Sequence, residues 1–150
     1  TQIIENVPGM KTAFFSILLP GKHVPEHRGP YKGVLRYQLA LKVPEDRENC
    51  RIRVGNEFAC WSEGKSMMFD DSFPHEAWNF SDEIRVVLFM DIVRPVKFPI
   101  SILNNLIINL IRWSPYVQDA YKNQQQWDRR LAKIFKDKNS KKFAAKKLSL

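Results

Sequence analysis

The sequence has few cysteines, few histidines and no long apolar run, and each scarcity removes a class of protein. Two cysteines in 150 residues, Cys50 and Cys60, cannot build a disulfide framework. Lying on neighbouring predicted strands, they read as reduced, half-buried thiols. No stretch of about 18 uninterrupted apolar residues occurs, so no segment reads as a membrane-spanning helix. The N-terminus lacks the basic–apolar–small pattern of a secretory signal. The chain starts at Thr1 without a Met, close to the first predicted strand, as a fragment or trimmed chain does. Together these features lead us to expect a cytoplasmic protein.

The net charge of +8 suggests a nucleic-acid partner until it is divided along the chain. Residues 1–95 hold 12 Lys and Arg against 13 Asp and Glu, a net of −1. Residues 96–150 hold 12 against 3, a net of +9. The excess describes the C-terminal third and not a basic binding surface on the core, and no nucleic-acid partner is expected.

From Lys11 to Arg94, short β-branched and aromatic runs alternate with turn residues. Strands are predicted over Thr12–Leu18, His23–His27, Val34–Val43, Cys50–Val54, Phe58–Trp61, Ser66–Phe69, His75–Asn79 and Arg85–Val93. They are separated by Pro20-Gly21, Gly29-Pro30, Pro44-Glu45-Asp46, Gly55-Asn56, Glu63-Gly64 and Ser81-Asp82-Glu83. Eight short strands with no intervening helix predict an all-β sandwich or barrel of jelly-roll type over residues 1–95. A C-terminal helical extension follows. Ile100–Trp113 reads as a helix, Ser114-Pro115 as a break with an N-cap, and Tyr116 to about Phe135 as a second helix. This gives a helix pair over 96–136 and a Lys-rich, unpatterned, disordered tail over 137–150.

Only His23, His27 and His75 could supply imidazole. His27 sits where a strand enters a turn, and His75 begins a strand after the acidic run Phe69-Asp70-Asp71. Strands that far apart in sequence become neighbours at the mouth of a jelly roll, where two imidazoles suit a borderline metal such as Fe(II). Arg36 and Arg85 each interrupt an apolar strand. A guanidinium pointing inward is costly unless an anion meets it, and strand parity alone leaves inward and outward orientations both open.

The run His23-Val24-Pro25-Glu26-His27-Arg28-Gly29-Pro30-Tyr31, continued by Gly33-Val34-Leu35-Arg36-Tyr37, resembles the aspartyl/asparaginyl β-hydroxylase family. So do Cys50-Arg51-Ile52-Arg53-Val54-Gly55 and Trp61-Ser62-Glu63-Gly64-Lys65. The strongest piece is Phe69-Asp70-Asp71-Ser72-Phe73-Pro74-His75-Glu76-Ala77-Trp78-Asn79, followed by Arg85. The resemblance implies a cupin-like double-stranded β-helix that binds Fe(II) through His27 and His75 and uses 2-oxoglutarate. By the same resemblance, Ser16 and Arg85 match positions that hold the distal carboxylate of 2-oxoglutarate, and Arg36 one that helps bind its C1 carboxylate. Asp71 matches an acid beside the metal and is the candidate catalytic residue.

Two positions depart from the pattern. The common His-X-Asp…His motif of such oxygenases has Gly29 at its middle position, where no donor atom exists. Asp/Asn hydroxylases of the family look similar in lacking that acid, whereas the related lipid A acyl-chain hydroxylases generally keep one. Gln38 stands where relatives usually carry a His near the co-substrate, and it can still donate a hydrogen bond. The resemblance therefore leads us to expect hydroxylation at the β-carbon of an Asp/Asn residue, or of a related group in a peptide, protein or small molecule. Lipid A acyl-chain hydroxylation on the same fold is one alternative, and a cupin-like binding module without turnover is another. For the C-terminal third, a helix pair covering a barrel face or forming a dimer contact competes with peripheral contact with an anionic membrane.

Overall fold

The computed structural model describes residues 6–115, together with Ile4 and Gln118. The chain divides into two compact units, Thr1–Ser101 and Ile102–Leu150. The first contains eight strands: β1 (Met10–Leu18), β2 (Lys22–His27), β3 (Val34–Lys42), β4 (Cys50–Val54), β5 (Glu57–Cys60), β6 (Ser66–Phe69), β7 (His75–Asn79) and β8 (Arg85–Val93). They form two four-stranded antiparallel sheets of order β1-β8-β3-β6 and β2-β7-β4-β5. β4 pairs with β5, β3 with β6, β2 with β7 and β1 with β8, so the chain is a long hairpin folded about the β4–β5 turn. This is the expected cupin-like jelly roll. A helix follows it, α1 (Ile100–Arg112). The predicted second helix, apart from Gln118, and the basic tail lie outside the described residues.

The turns form where the sequence supplies backbone freedom. Gly55, between β4 and β5, has φ of +59°, and Gly64, before β6, has φ of +71°. Only glycine adopts such angles without a steric cost from Cβ. The β7–β8 connection is closed by Asn79, which is fully buried. Its amide donates to the carbonyls of Leu18 and Glu83 at 3.0 and 2.7 Å, and its oxygen accepts from the Ser81 hydroxyl at 2.6 Å. A buried amide with all these partners carries little desolvation penalty and ties the end of β1 to the start of β8.

Side-chain alternation sorts each strand. Ala40, Val43, Cys50, Ile52, Trp61 and Val87 make the buried core, with Val54, Met67, Phe69 and Ala77 packed against it. Burial pushes the Cys50 thiol up to about 11, so it is an inert core group, while Cys60 is exposed and also free. The outward face of the β2-β7-β4-β5 sheet is charged instead. There Arg53 bonds Glu26 at 2.6 Å and Glu76 at 2.7 Å, and Glu76 bonds His23 at 2.9 Å.

That network accompanies an irregularity that aims the site. Val24 pairs with Ala77, but His27 and not Glu26 pairs with His75. One extra residue is therefore accommodated at Pro25-Glu26, a bulge at an edge strand where the missing N–H of proline breaks no ladder. A regular ladder would set Glu26 opposite His75. The bulge puts His27 there and leaves Glu26 on the outward face with Arg53. Replacing Arg53 by Ala is expected to loosen this clamp, so that amide exchange of β2 quickens several-fold while that of β3 and β8 is unchanged. Unchanged exchange in β2 would show that the bulge holds without it.

Candidate active site

His27 and His75 face each other across the β2–β7 ladder with ring centroids 4.2 Å apart. His27 Nδ1 lies 2.8 Å from the Pro25 carbonyl and His75 Nδ1 lies 2.9 Å from the Phe73 carbonyl. A carbonyl only accepts, so Nδ1 donates in both contacts, and in a neutral ring it is then Nε2 that carries the lone pair. His75 Nε2 is buried and has no hydrogen-bond partner. Burial holds the His75 imidazole below its ordinary pKa; the charges of His27 and Arg36 add to this, and the Phe73 carbonyl opposes it. A neutral imidazole with an orphaned Nε2, oriented by a carbonyl on its other nitrogen, has the chemistry of a metal ligand. His23 is held in the outward ion network and takes no part. Among the described residues no third His, Cys, Asp or Glu joins the pair as a ready-made metal set.

The space beside Gly29 is filled by another residue. A Cβ built on Gly29 would lie 1.9 Å from Asp71 Oδ2, and the Gly29 N–H donates to the Asp71 carbonyl at 2.7 Å. The Asp71 carboxylate thus occupies the volume that a side chain at position 29 would need. It is 1% exposed, and its Oδ1 has no hydrogen-bond partner. Burial raises the Asp71 carboxyl above its ordinary pKa; Arg36 opposes this, and Asp91 and Asp70 add to it. Arg36 Nε lies 3.0 Å from Asp71 Oδ2 and 3.5 Å from Asp91 Oδ1, while its guanidinium lies 4.9 Å from the Phe89 ring centroid.

A second cluster surrounds Arg85, which is 4% exposed. Its Nη2 donates to the Ser16 hydroxyl at 3.1 Å and its guanidinium stacks 4.5 Å from the Trp61 ring centroid. Arg85 Nε has no hydrogen-bond partner, and among the described residues no carboxylate pairs with the side chain. Burial pushes its pKa down to about 10, so it stays charged at neutral pH. The Trp61 indole N–H donates to Gln38 Oε1 at 2.8 Å, leaving the Gln38 amide hydrogens to donate elsewhere. A buried cation with spare donors and no acid has the chemistry that suits an anion.

The structure therefore brings the candidate residues into two groups: His27, His75, Asp71 and Arg36 at one, Ser16, Arg85 and Gln38 at the other. Gln38 follows Arg36 by two positions on the same face of β3, opposite Phe89, so the groups are adjacent along one inner sheet face. Both arginines point inward, which parity left open. Three contributors were not singled out from the sequence. Trp61 stands between Gln38 and Arg85. Asp91 pairs with Arg36 and accepts from Thr12 at 2.7 Å. The third is the Gly29–Asp71 packing itself. Asp91 was detectable, being a lone acid in an apolar strand in phase with Arg85.

Comparison with known proteins shows which family the chain belongs to. The family model described as Aspartyl/Asparaginyl beta-hydroxylase matches residues 1–95, well over half of the chain. The chain belongs to the aspartyl/asparaginyl beta-hydroxylase family. Among curated relatives it is 46% identical over 127 residues to a Rhizobium tropici protein named ornithine lipid ester-linked acyl 2-hydroxylase, covering 85% of this chain and 45% of that one. It is 42% identical over 85 residues to the Mus musculus aspartyl/asparaginyl beta-hydroxylase, covering 57% of this chain and 11% of that one. The chain thus spans less than half the length of either relative. Of solved structures, a predicted oxalate decarboxylase from Thermotoga maritima is similar with a TM-score of 0.47 at 15% identity, over 62% of this chain and 73% of that one.

Arg85→Met is expected to raise thermal stability, because it removes a buried, unpaired charge. Holding that charge away from water and from any acid costs on the order of a few kcal/mol. The same change should weaken binding of a dicarboxylate co-substrate about 10–150-fold, as loss of a charge-assisted contact of about 1.5–3 kcal/mol requires. Thermal melts and co-substrate titration check both, and a destabilised variant with normal binding would contradict them. Gly29→Asp, which writes the three-ligand motif back into the sequence, is expected to destabilise the fold, with Asp71→Gly partly restoring it in the double variant. A fully stable Gly29→Asp single variant would refute the steric reading.

Proposed function

We propose that this protein is a non-haem Fe(II), 2-oxoglutarate-dependent hydroxylase acting on the acyl chain of an amino-acid-containing membrane lipid of the ornithine-lipid kind. The observation that carries the substrate class is the extent of the lipid hydroxylase match. It leaves out only 23 of 150 residues, so it runs through α1 wherever it begins. The match to the Asp/Asn enzyme spans 85 residues and is accommodated by the β domain alone. The expectation of an Asp/Asn β-carbon substrate, drawn from Gly29, gives way to an acyl-chain substrate, closer in chemistry to the lipid A alternative.

The residues present fit the implied cofactors. His27 and His75 would hold the metal through Nε2, their rings fixed by the Pro25 and Phe73 carbonyls. Arg85, with Ser16, would receive the distal carboxylate of 2-oxoglutarate, and Trp61 and Gln38 would set the wall beside it. Arg36 would share its charge between Asp71 and the C1 carboxylate. Fe(II) with 2-oxoglutarate supplies the activation of oxygen needed to hydroxylate an unactivated C–H bond, with succinate and CO2 as co-products. The protein's part is to desolvate the co-substrate carboxylate, to keep His75 neutral, and to hold Asp71 beside the face that Gly29 leaves without a donor.

Two measurements test this reading. An anaerobic titration with Fe(II) and 2-oxoglutarate is expected to give a visible charge-transfer band that needs both components and is lost in His75→Ala. Succinate release in air is expected to rise with an ornithine-lipid acyl substrate and not with Asp- or Asn-containing peptides. Stimulation by the peptides alone would return the assignment to the Asp/Asn β-carbon. No band in folded protein would favour a module without turnover.

A further inference from the structure

The helix α1 leaves most of its large apolar side chains exposed. Ile102, Leu103, Leu106, Leu110 and Trp113 are 62%, 55%, 55%, 64% and 81% exposed, and Phe98, just before the helix, is 79% exposed. At about 100° per residue, the five from Ile102 to Trp113 fall within a single arc of about 100°. The buried member of the helix is Asn104, on the opposite side, flanked by the half-buried Ile107, Ile108 and Ile111. The outward stripe is bordered by Asn105, Asn109 and Arg112. A continuous exposed apolar stripe with an aromatic at each end marks a surface that leaves water in the working protein.

We infer that α1 lies in the interface of an anionic lipid bilayer, with Phe98 and Trp113 at headgroup depth and Ile102, Leu103, Leu106 and Leu110 in the acyl boundary. Three observations select a bilayer over another occupant. The helix has 13 residues, about 20 Å, too short for a hydrocarbon core of about 30 Å, and no described helix is long and apolar enough to cross. Its apolar stripe therefore suits lying in the interface plane. The sequence around and after it is basic: ten of the twelve Lys and Arg of residues 96–150 follow Trp113, against three acids. That composition is attracted to anionic headgroups and is poorly matched to a second copy carrying the same charge. Finally, the match to the lipid hydroxylase includes α1, whereas the family model ends at residue 95. The inference rests on the lipid-directed reading for its choice of partner, and it adds the means by which a membrane-held substrate is approached.

Co-sedimentation with vesicles tests it without turnover. The probes are phosphatidylcholine vesicles with and without phosphatidylglycerol, both free of ornithine lipid. The protein is expected to pellet with the anionic vesicles at low salt, at least about tenfold more than with the neutral ones, and to lose most of that advantage at high salt, where charge is screened. The variant Leu103→Ser/Leu106→Ser/Leu110→Ser is expected to lose at least about tenfold in partitioning while keeping the Fe(II)–2-oxoglutarate band, which reports an intact β domain. Brominated acyl chains should quench part of the tryptophan emission, and that part should vanish in Trp113→Phe. No pelleting of the parent protein at low salt overturns the inference. Equal pelleting by the triple variant also overturns it, leaving attraction by the basic sequence alone. A concentration-dependent dimer abolished by the triple variant would reassign the stripe to a contact between copies. Vesicle binding without lipid hydroxylation would refute the proposed substrate and leave the membrane contact standing.

Discussion

The site depends on a charge that the fold leaves without an acid. Arg85 sits 4% exposed against Trp61, with the Ser16 hydroxyl as its only side-chain hydrogen-bond partner among the described residues. Burying a guanidinium this way costs stability, and folds keep such groups where an incoming anion repays the cost. The surrounding arrangement follows from that one constraint. Val87 and Ala40 form the core beside it, and Trp61 is held by Gln38. The Asn79 knot anchors the start of β8 and so determines where the guanidinium lies.

The second constraint is geometric. Two histidines converge because β2 accommodates one extra residue at Pro25-Glu26, and an outward Glu26–Arg53–Glu76–His23 network accompanies that bulge. Gly29 then allows Asp71 to press into the space beside the histidine pair. An acid is thus present at the position-29 face without belonging to position 29. That arrangement removes the physical ground for reading Gly29 as a mark of one substrate class. A bare glycine in the motif does not mean a bare face in the structure.

Much of the β domain was legible in the sequence because it is built from local signals. β4, β6, β7 and β8 have the predicted bounds, and β1, β2, β3 and β5 differ only by one or two residues at their ends. Alternation, β-branched content and glycines at positive φ are all short-range, so they survive without knowledge of the partner strand. The pairing of His27 with His75 was foreseen as a consequence of jelly-roll topology and family resemblance together. What was not legible came from register across distant strands. Whether Arg36 and Arg85 point inward depends on how β3 and β8 align. The bulge at Pro25 needs β7 as a ruler, and the Gly29–Asp71 contact joins two loops that no local pattern links.

The central claim is that Arg85 with Ser16 receives one end of a dicarboxylate whose other end reaches the histidine pair. Calorimetric titration of the Fe(II)-loaded protein under anaerobic conditions tests it most directly, comparing 2-oxoglutarate with 2-oxobutyrate, which keeps the 2-oxo acid but lacks the distal carboxylate. The account predicts that 2-oxobutyrate binds at least about tenfold more weakly and that the gap closes in Arg85→Met. Equal binding of the two acids by the parent protein would contradict it.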